Sequence, residues 1–258
     1  MNVPVIIISY NNYLYVDNTI KQIKHLTPLS PIIIIDNNSN DVDTLDYLAN
    51  LKDILVMRNA YNRGPWVDKI NNTLIYDLMP EKFILTDPDL EFNPKLPTNY
   101  VDILCQLSDE LKCGKIGFAI SLLDHEEMYQ QKSYMNNGSI RDWESQFWND
   151  RIEHQIYELY RAPIDTTFCL INKKYFLAQY DNCIRITGNF TCRHLPFYRE
   201  NNILTVYDKY KYGLDCPLST ISHLEIPYIQ QNYLVIKKNT ETILITKDPC
   251  DPNFPFWE

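Results

Sequence analysis

The sequence predicts an α/β fold with a mostly parallel central sheet flanked by helices. Three observations carry that expectation. Short, largely apolar runs at Val3 to Ile8, Pro31 to Ile35, Asp53 to Met57 and Phe83 to Leu85 are the kind of strand that a parallel sheet buries on both faces. Segments of helical period separate these runs, so the order reads β-α-β-α-β-α-β, with right-handed crossovers. Three of the runs end in polar clusters, Ser9-Tyr10-Asn11, Asp36-Asn37-Asn38 and Asp87-Pro88-Asp89. In a parallel sheet such ends share one edge, where ligands bind.

Taken in order, the first strand runs into a polar turn at Asn11-Asn12. Tyr13 to Leu26 reads as helix, with Leu14, Ile20, Ile23 and Leu26 on one rough face, and Pro28 and Pro31 end it. Asp43 to Asn50 is a second helix. Asn62-Arg63-Gly64-Pro65-Trp66 is a turn, with Pro65 placed to open a helix over Trp66 to Leu78. Pro97 to Leu111 reads as helix, Lys115 to Ile120 as strand and Leu122 to Ile140 as a polar loop of the kind that orders over a ligand. Periodicity through Trp143, Phe147, Ile152, Ile156 and Leu159 predicts a long helix over Arg141 to Tyr160, and Ala162 to Ile171 reads as strand. Tyr233 to Lys237 and Thr242 to Lys247 alternate around Asn239-Thr240, a hairpin, and Pro249 to Glu258 reads as an extended tail.

The 258 residues fit a single domain, 1–92 forming one half and 93–258 the other. A formal charge of −9 argues against nonspecific nucleic-acid binding, which needs a basic footprint. Seven scattered cysteines without C-x-x-C spacing fit free thiols in a reducing compartment. With no signal peptide visible and an apolar start too short for a membrane span, the expectation is a cytoplasmic protein that is not secreted. The bias to Asn, Ile, Tyr, Lys and Asp points to an AT-rich genome, as in many giant viruses and parasites.

The organising stretch is Phe83-Ile84-Leu85-Thr86-Asp87-Pro88-Asp89-Leu90-Glu91. Side chains alternate along an extended chain, so Asp87 and Asp89 are expected to face one way from a strand end. Two carboxylates aimed at one point repel unless a cation lies between them. Mg²⁺ and Mn²⁺ accept carboxylates and leave coordination positions for phosphate oxygens. No G-x-G-x-x-G follows the first strand and no P-loop is present, which removes the dinucleotide and P-loop readings. A metal-dependent nuclease built on Pro88-Asp89 and Glu91 lacks the lysine such sites carry two residues further on.

Pro4 to Asn12, Ile33 to Ser39, Asn62 to Trp66 and Phe83 to Asp89, in that order, resemble a GT-A glycosyltransferase, close to the family 2 type. The resemblance covers roughly residues 3 to 92. It implies a nucleotide-diphospho-sugar transferase of Rossmann-like fold, a nucleoside diphosphate sugar as donor (a UDP-sugar favoured), a glycan or other hydroxyl acceptor, and Mn²⁺ or Mg²⁺. By it, Ser9, Tyr10 and Asn11 line the nucleoside pocket and Asp36 reads the base. Asn62, Arg63, Gly64 and Lys69 lie near the ribose or phosphates, although this chain has Lys69-Ile70-Asn71 where the family usually has Arg-Asn. Asp87 approaches the ribose or metal and Asp89 ligates the metal. His194 resembles the late histidine that many GT-A enzymes use as a third ligand, and a neutral imidazole suits Mn²⁺. An inverting enzyme of this kind needs one carboxylate to deprotonate the acceptor. The family's usual Glu-Asp pair is not evident, and the candidates are Asp165, then Glu144, then Asp142. Asp165, in an apolar setting, is expected to have a raised pKa. The alternative reading is a domain that binds a nucleotide sugar or glycan without turning it over.

Overall fold

A computed structural model describes residues 3–130, 138–205 and 208–209, with the backbone of 227–230, 233–238 and 241–246. The chain runs through β1 (Val5–Ser9), α1 (Tyr13–Leu26), β2 (Ile32–Asp36), α2 (Val42–Asn50), β3 (Leu55–Arg58), α3 (Thr73–Leu78) and β4 (Lys82–Thr86). There follow β5 (Leu90–Phe92), α4 (Tyr100–Leu111), β6 (Lys115–Ile120), α5 (Ile140–Ser145), β7 (Arg151–Ile152), β8 (Leu159–Arg161), β9 (Cys169–Asn172) and β10 (Cys183–His194). These strands form one sheet in the order β3-β2-β1-β4-β9-β6-β10-β8-β7, and β5 pairs with β10.

The first four strands are parallel, as their apolar runs predict. The second half departs from that pattern. β9 lies antiparallel between β4 and β6, and β5 and β8 are antiparallel to β10, although β6 and β10 are parallel. The sheet is mixed, its parallel part concentrated in the N-terminal half.

Alternation along the strands divides the core in two. Val5 and Ile7 of β1, Ile84 of β4 and Leu170 of β9 pack with α1, α2 and α4 on one face. Ile6 and Ile8, Phe83 and Leu85, and Cys169 and Ile171 pack on the other with Ile75 and Tyr76 of α3. Each central strand is therefore apolar on both sides, which is why it reads as a continuous run. An aromatic cluster lies beneath the short β5. Phe118 and Phe168 stack at 4.6 Å, and Phe92 meets both edge-on at 5.6 and 5.1 Å.

Several expected elements are shorter than predicted. The helix expected over Trp66 to Leu78 begins only at Thr73, because the Asp68 carboxylate takes the N–H groups of Ile70 and Asn71, both at 2.7 Å, and curls the chain into a turn. The long helix over Arg141 to Tyr160 is replaced by the one-and-a-half-turn α5, a 3₁₀ turn and the β7–β8 hairpin. His154 Nδ1 accepts from the backbone of Ile156 and Tyr157, bending the chain where a helix would have continued. The strand over Ala162 to Ile171 shrinks to β9, and residues 162–168 form a loop. The C-terminal hairpin is present as β12 (Tyr233–Lys238) and β13 (Glu241–Thr246), joined by β11 (Pro227–Gln230) in a three-stranded antiparallel sheet. The expected tail and residues 131–137 of the expected loop lie outside the described residues. Cys105, Cys113, Cys169, Cys183 and Cys192 are free thiols.

Close approach of β6 and β9 depends on a glycine. A Cβ on Gly117 would fall 2.3 Å from the Phe168 carbonyl oxygen and 2.7 Å from Cys169 Cα, both backbone atoms of β9 or its entry. Gly117→Ala is expected to destabilise the fold by more than about 2 kcal/mol in urea denaturation. An unchanged midpoint would show that β9 yields without cost.

Candidate active site

β1, β2 and β4 deliver their carboxyl ends to one edge. Ser9 stands opposite Asp36, and Ile7 opposite Thr86. Asn37 N–H bonds the Ser9 carbonyl at 2.8 Å, so the β1 and β2 turns move as a unit. The Asn11 side chain completes the tie. Its Oδ1 accepts from the Asn40 and Asp41 N–H groups at 2.8 and 3.0 Å, and Asn11 itself sits at φ +48°. The Asn37 amide reaches the other way, donating to the Gly64 carbonyl at 2.8 Å and accepting from Asn59. That contact holds the Asn62-Arg63-Gly64 turn, with Gly64 at φ +78°, beside the edge. Arg63 is exposed, with its guanidinium 4.5 Å above the Tyr61 ring. Lys69 is exposed in the turn preceding α3.

Asp36 is 1% exposed, and its carboxylate accepts from the Ser39 N–H and hydroxyl and lies 3.4 Å from Arg58 Nε. It braces the β2 turn. Ser9 Oγ and Asn12 Nδ2 are buried without a hydrogen-bond partner, polar capacity kept at the base of the same edge.

The Asp87-Pro88-Asp89 turn is gripped from three directions. Thr19 on α1 donates to the Pro88 carbonyl, and Gln22 one turn later bonds Leu90 O at 2.9 Å and Phe92 N at 2.7 Å. Asp87 N–H bonds Thr166 O at 2.9 Å, while the Thr166 hydroxyl donates to the Asp87 carboxylate. Leu195 N–H bonds Asp89 O at 2.9 Å, fixing the end of β10 against the turn. His194 Nε2 then lies 3.3 Å from Asp89 Oδ1, its ring edge-on to Phe197 at 4.4 Å.

Electrostatics ties these groups together. Burial, then the negative charge of Asp89, push the Asp87 carboxyl up to about 7, against the opposing Thr166 hydrogen bond. The charges of Asp165 and His194 also act on it. Burial draws the His194 imidazole down, but the carboxylates of Asp89 and Asp87 more than offset this and its pKa lies above the ordinary value.

The three catalytic candidates separate cleanly. Asp142 is exposed and forms a capping box with Ser139 at the start of α5. Glu144 is 3% exposed and pairs with Arg185 at 3.1 Å; that guanidinium also bonds the Pro163 carbonyl and covers the Phe147 ring. Both carboxylates are therefore engaged in holding α5. Asp165 is exposed, contrary to the expected apolar setting, because residues 162–168 leave the sheet as a loop. Its Oδ1 accepts from Trp66 Nε1 at 2.7 Å, joining the Asn62-to-Trp66 turn to the Asp87 side of the edge. Sequence reading missed Thr19, Gln22 and Thr166. Nothing local marks them, since their partners lie 68 to 79 residues away.

Among the described residues no three His, Cys, Asp or Glu side chains are grouped so that they alone could hold a metal ion. Mg²⁺-type sites seldom are closed, being held by one or two carboxylates with substrate phosphates completing the shell. His194 Nδ1 is buried without a hydrogen-bond partner, Asp89 Oδ1 is buried with only the His194 ring 3.3 Å away, and two carboxylates in mutual repulsion form a hard donor set. These residues fit a divalent cation.

The family match assigns this α/β domain its class: it is a glycosyltransferase. Residues 5–176 match the profile of glycosyl transferase family 2, and the chain belongs to that family. No curated protein gives a match in sequence. Similar solved structures include the mannosyltransferase PcManGT from Pyrobaculum calidifontis in complex with GDP-Man and Mn2+, at TM-score 0.45 and 12% identity, over 86% of this chain and 73% of that one. S. aureus TarS 1-349 in complex with UDP-GlcNAc aligns at TM-score 0.45 and 10% identity, over 85% of this chain and 67% of that one. No helix among the described residues is long and apolar enough to cross a membrane.

Two predictions follow from the charges. The folded pKa of Asp87, about 7, lies above its unfolded value of ~3.9, so the folded state holds a proton that the unfolded state releases. That contribution is full below about pH 4 and lost as pH rises through about 7. The melting temperature of the metal-free wild type minus that of Asp87→Asn is expected to fall across this window and then level off. A flat difference would mean that Asp87 is ionised at rest. Glu144→Ala leaves Arg185 buried and unpaired, and is expected to cost about 3–5 kcal/mol in denaturant unfolding; an unchanged stability would free Glu144 for another role.

Proposed function

We propose that this glycosyltransferase moves a sugar from a nucleoside diphosphate sugar, with UDP-sugars the first donors to try, to an acceptor hydroxyl in glycan biosynthesis, with inversion. The observation that carries this reading is the meeting of Asp87, Asp89 and His194 at the strand ends, with Asp165 beside the Thr166 that bonds Asp87. Asp89 and Asp87 would hold Mn²⁺ or Mg²⁺, with His194 as a further ligand. A bound cation neutralises the charge that develops on the departing diphosphate. Ser9, Tyr10, Asn11 and Asp36 shape the nucleoside side, Asp36 through the turn it braces. Asn62, Arg63, Gly64 and Lys69 form the side toward the ribose and phosphates, where the exposed guanidinium of Arg63 can pair with phosphate oxygens.

Asp165 is the proposed base. It takes the acceptor hydroxyl proton as that oxygen bonds to the anomeric carbon and the bond from that carbon to the diphosphate breaks on the opposite side. Trp66 Nε1, bonded to Oδ1, orients the carboxylate.

With a donor panel and Mn²⁺, transfer or donor hydrolysis is expected, and Asp89→Ala or chelation should lower kcat/KM by about 100-fold or more, several kcal/mol of charge stabilisation. Turnover indifferent to both would remove the metal from the mechanism.

A further inference from the structure

Lys115, at the start of β6, is fully buried, 0% exposed, in a strand whose other side chains are apolar. Its ammonium is among the least expected groups in a protein core, because desolvating a cation is costly unless the charge is paired or thoroughly hydrogen-bonded. The partners the structure gives it are backbone carbonyls. Nζ donates to Ile164 O at 2.6 Å, Asp165 O at 2.7 Å and Gln179 O at 3.3 Å. The two shortest bonds are thus directed at main chain that belongs to no strand or helix, and the third donor faces Gln179, by its carbonyl and, with the amide turned to accept, by its side-chain oxygen at 3.2 Å. Two of the acceptors lie in the loop before β9, and the third lies in the segment after it.

That loop is the one that touches the acidic edge. Asp165 bonds Trp66, and Thr166, the next residue, meets Asp87 twice, through its hydroxyl and its carbonyl. Without ladder hydrogen bonds the loop is placed by single contacts: Arg185 on the Pro163 carbonyl, Thr166 on Asp87, Trp66 on Asp165 and, from inside the core, Lys115 on the two carbonyls between. An apolar residue at 115 would fill the space, but it would leave the Ile164 and Asp165 carbonyls without their partner.

We propose that Lys115 is a positioning residue for sugar transfer, its ammonium fixing residues 164–166 so that Thr166 sets the Asp87 carboxylate and Asp165 faces the acceptor. The inference rests on the metal-dependent transfer reading above. It concerns the placement of two carboxylates, so its signature is a loss in kcat and in Mn²⁺ affinity with the donor KM little changed.

The test compares wild type, Lys115→Met, Thr166→Val and Thr166→Ser. Mn²⁺ binding to the resting protein is followed by electron paramagnetic resonance, and kcat and KM are measured with the best donor of the panel. Displacement of a reacting group by about 1 Å costs up to ~100-fold. Lys115→Met is accordingly expected to lose about 10- to 100-fold in kcat and to bind Mn²⁺ more weakly, with KM for the donor close to wild type. Thr166→Val should shift the same two quantities in the same direction, and Thr166→Ser, which keeps the hydroxyl, should restore them. If Lys115→Met does not fold, the Thr166 pair decides. A folded Lys115→Met, or a Thr166→Val, with wild-type kcat and Mn²⁺ affinity overturns the role of Lys115 alone. A wild type that neither binds Mn²⁺ nor turns over any donor overturns the underlying reading of the site.

Discussion

Asp87 and Asp89 repel each other across a buried turn, and much of the surrounding structure holds them there against that repulsion. The strain registers on Asp87, whose carboxyl is pushed toward neutrality by burial and by its neighbour's charge. Carboxylates relieve such crowding in three ways: by taking up a proton, by pairing with a cationic side chain, or by binding a metal ion. The structure provides for the first two: burial and Asp89 raise the Asp87 pKa, and a histidine lies 3.3 Å from Asp89. Both are reversible arrangements that a divalent cation would displace, since the cation answers the same electrostatic demand more strongly.

Keeping the turn in place falls to residues that themselves bear no charge. Thr19 and Gln22 occupy one face of α1 three residues apart, so a single helix presents both to the turn's carbonyl and amide groups. α1 is in turn seated by Tyr15, Val16, Ile20 and Ile23 against the sheet. The apolar periodicity of the helix thereby sets the reach of its polar residues. On the far side, Gly117 admits β9 close to β6, which brings the 162–168 loop and Thr166 to Asp87.

The half of the fold that was legible in the sequence is the half whose contacts are short-range in pattern. β1, β2 and β4 are read correctly because both faces of each are covered, and continuous apolar runs report that directly, while β3 is the half-exposed edge strand beside them. The polar ends of β1, β2 and β4 were legible for the same reason: the change from apolar to polar marks where the sheet stops. The misreadings share a different cause. At 66–72 one aspartate competes for backbone N–H groups and defeats the periodicity that continues into α3. At 141–160 the apolar spacing is real, but its residues serve α5, a 3₁₀ turn and a hairpin in succession, and His154 breaks the chain between them. Spacing alone does not distinguish one long helix from three short pieces that bury the same residues.

The candidates at 142 and 144 were drawn from that same stretch, and the contacts they make explain how the loop opposite the acidic edge is held. Two carboxylates in the first turn of an exposed helix look available for chemistry. In a short helix tied to β10 through Arg185, one becomes a cap and the other is drawn inward to that guanidinium. Arg185 also bonds the Pro163 carbonyl, in the loop that carries Asp165 and Thr166. A buried ion pair rarely adds much stability over an apolar pair of equal volume, and here the pair with Glu144 leaves Arg185 Nε directed at the Pro163 carbonyl. Arg185 from β10 and Lys115 from β6 therefore hold the same loop by its carbonyls at successive points, 163, 164 and 165. The parallel half of the sheet supplies the acidic edge. The antiparallel insertion of β9 supplies the loop that faces it, and two buried cations substitute there for the ladder hydrogen bonds which that loop lacks.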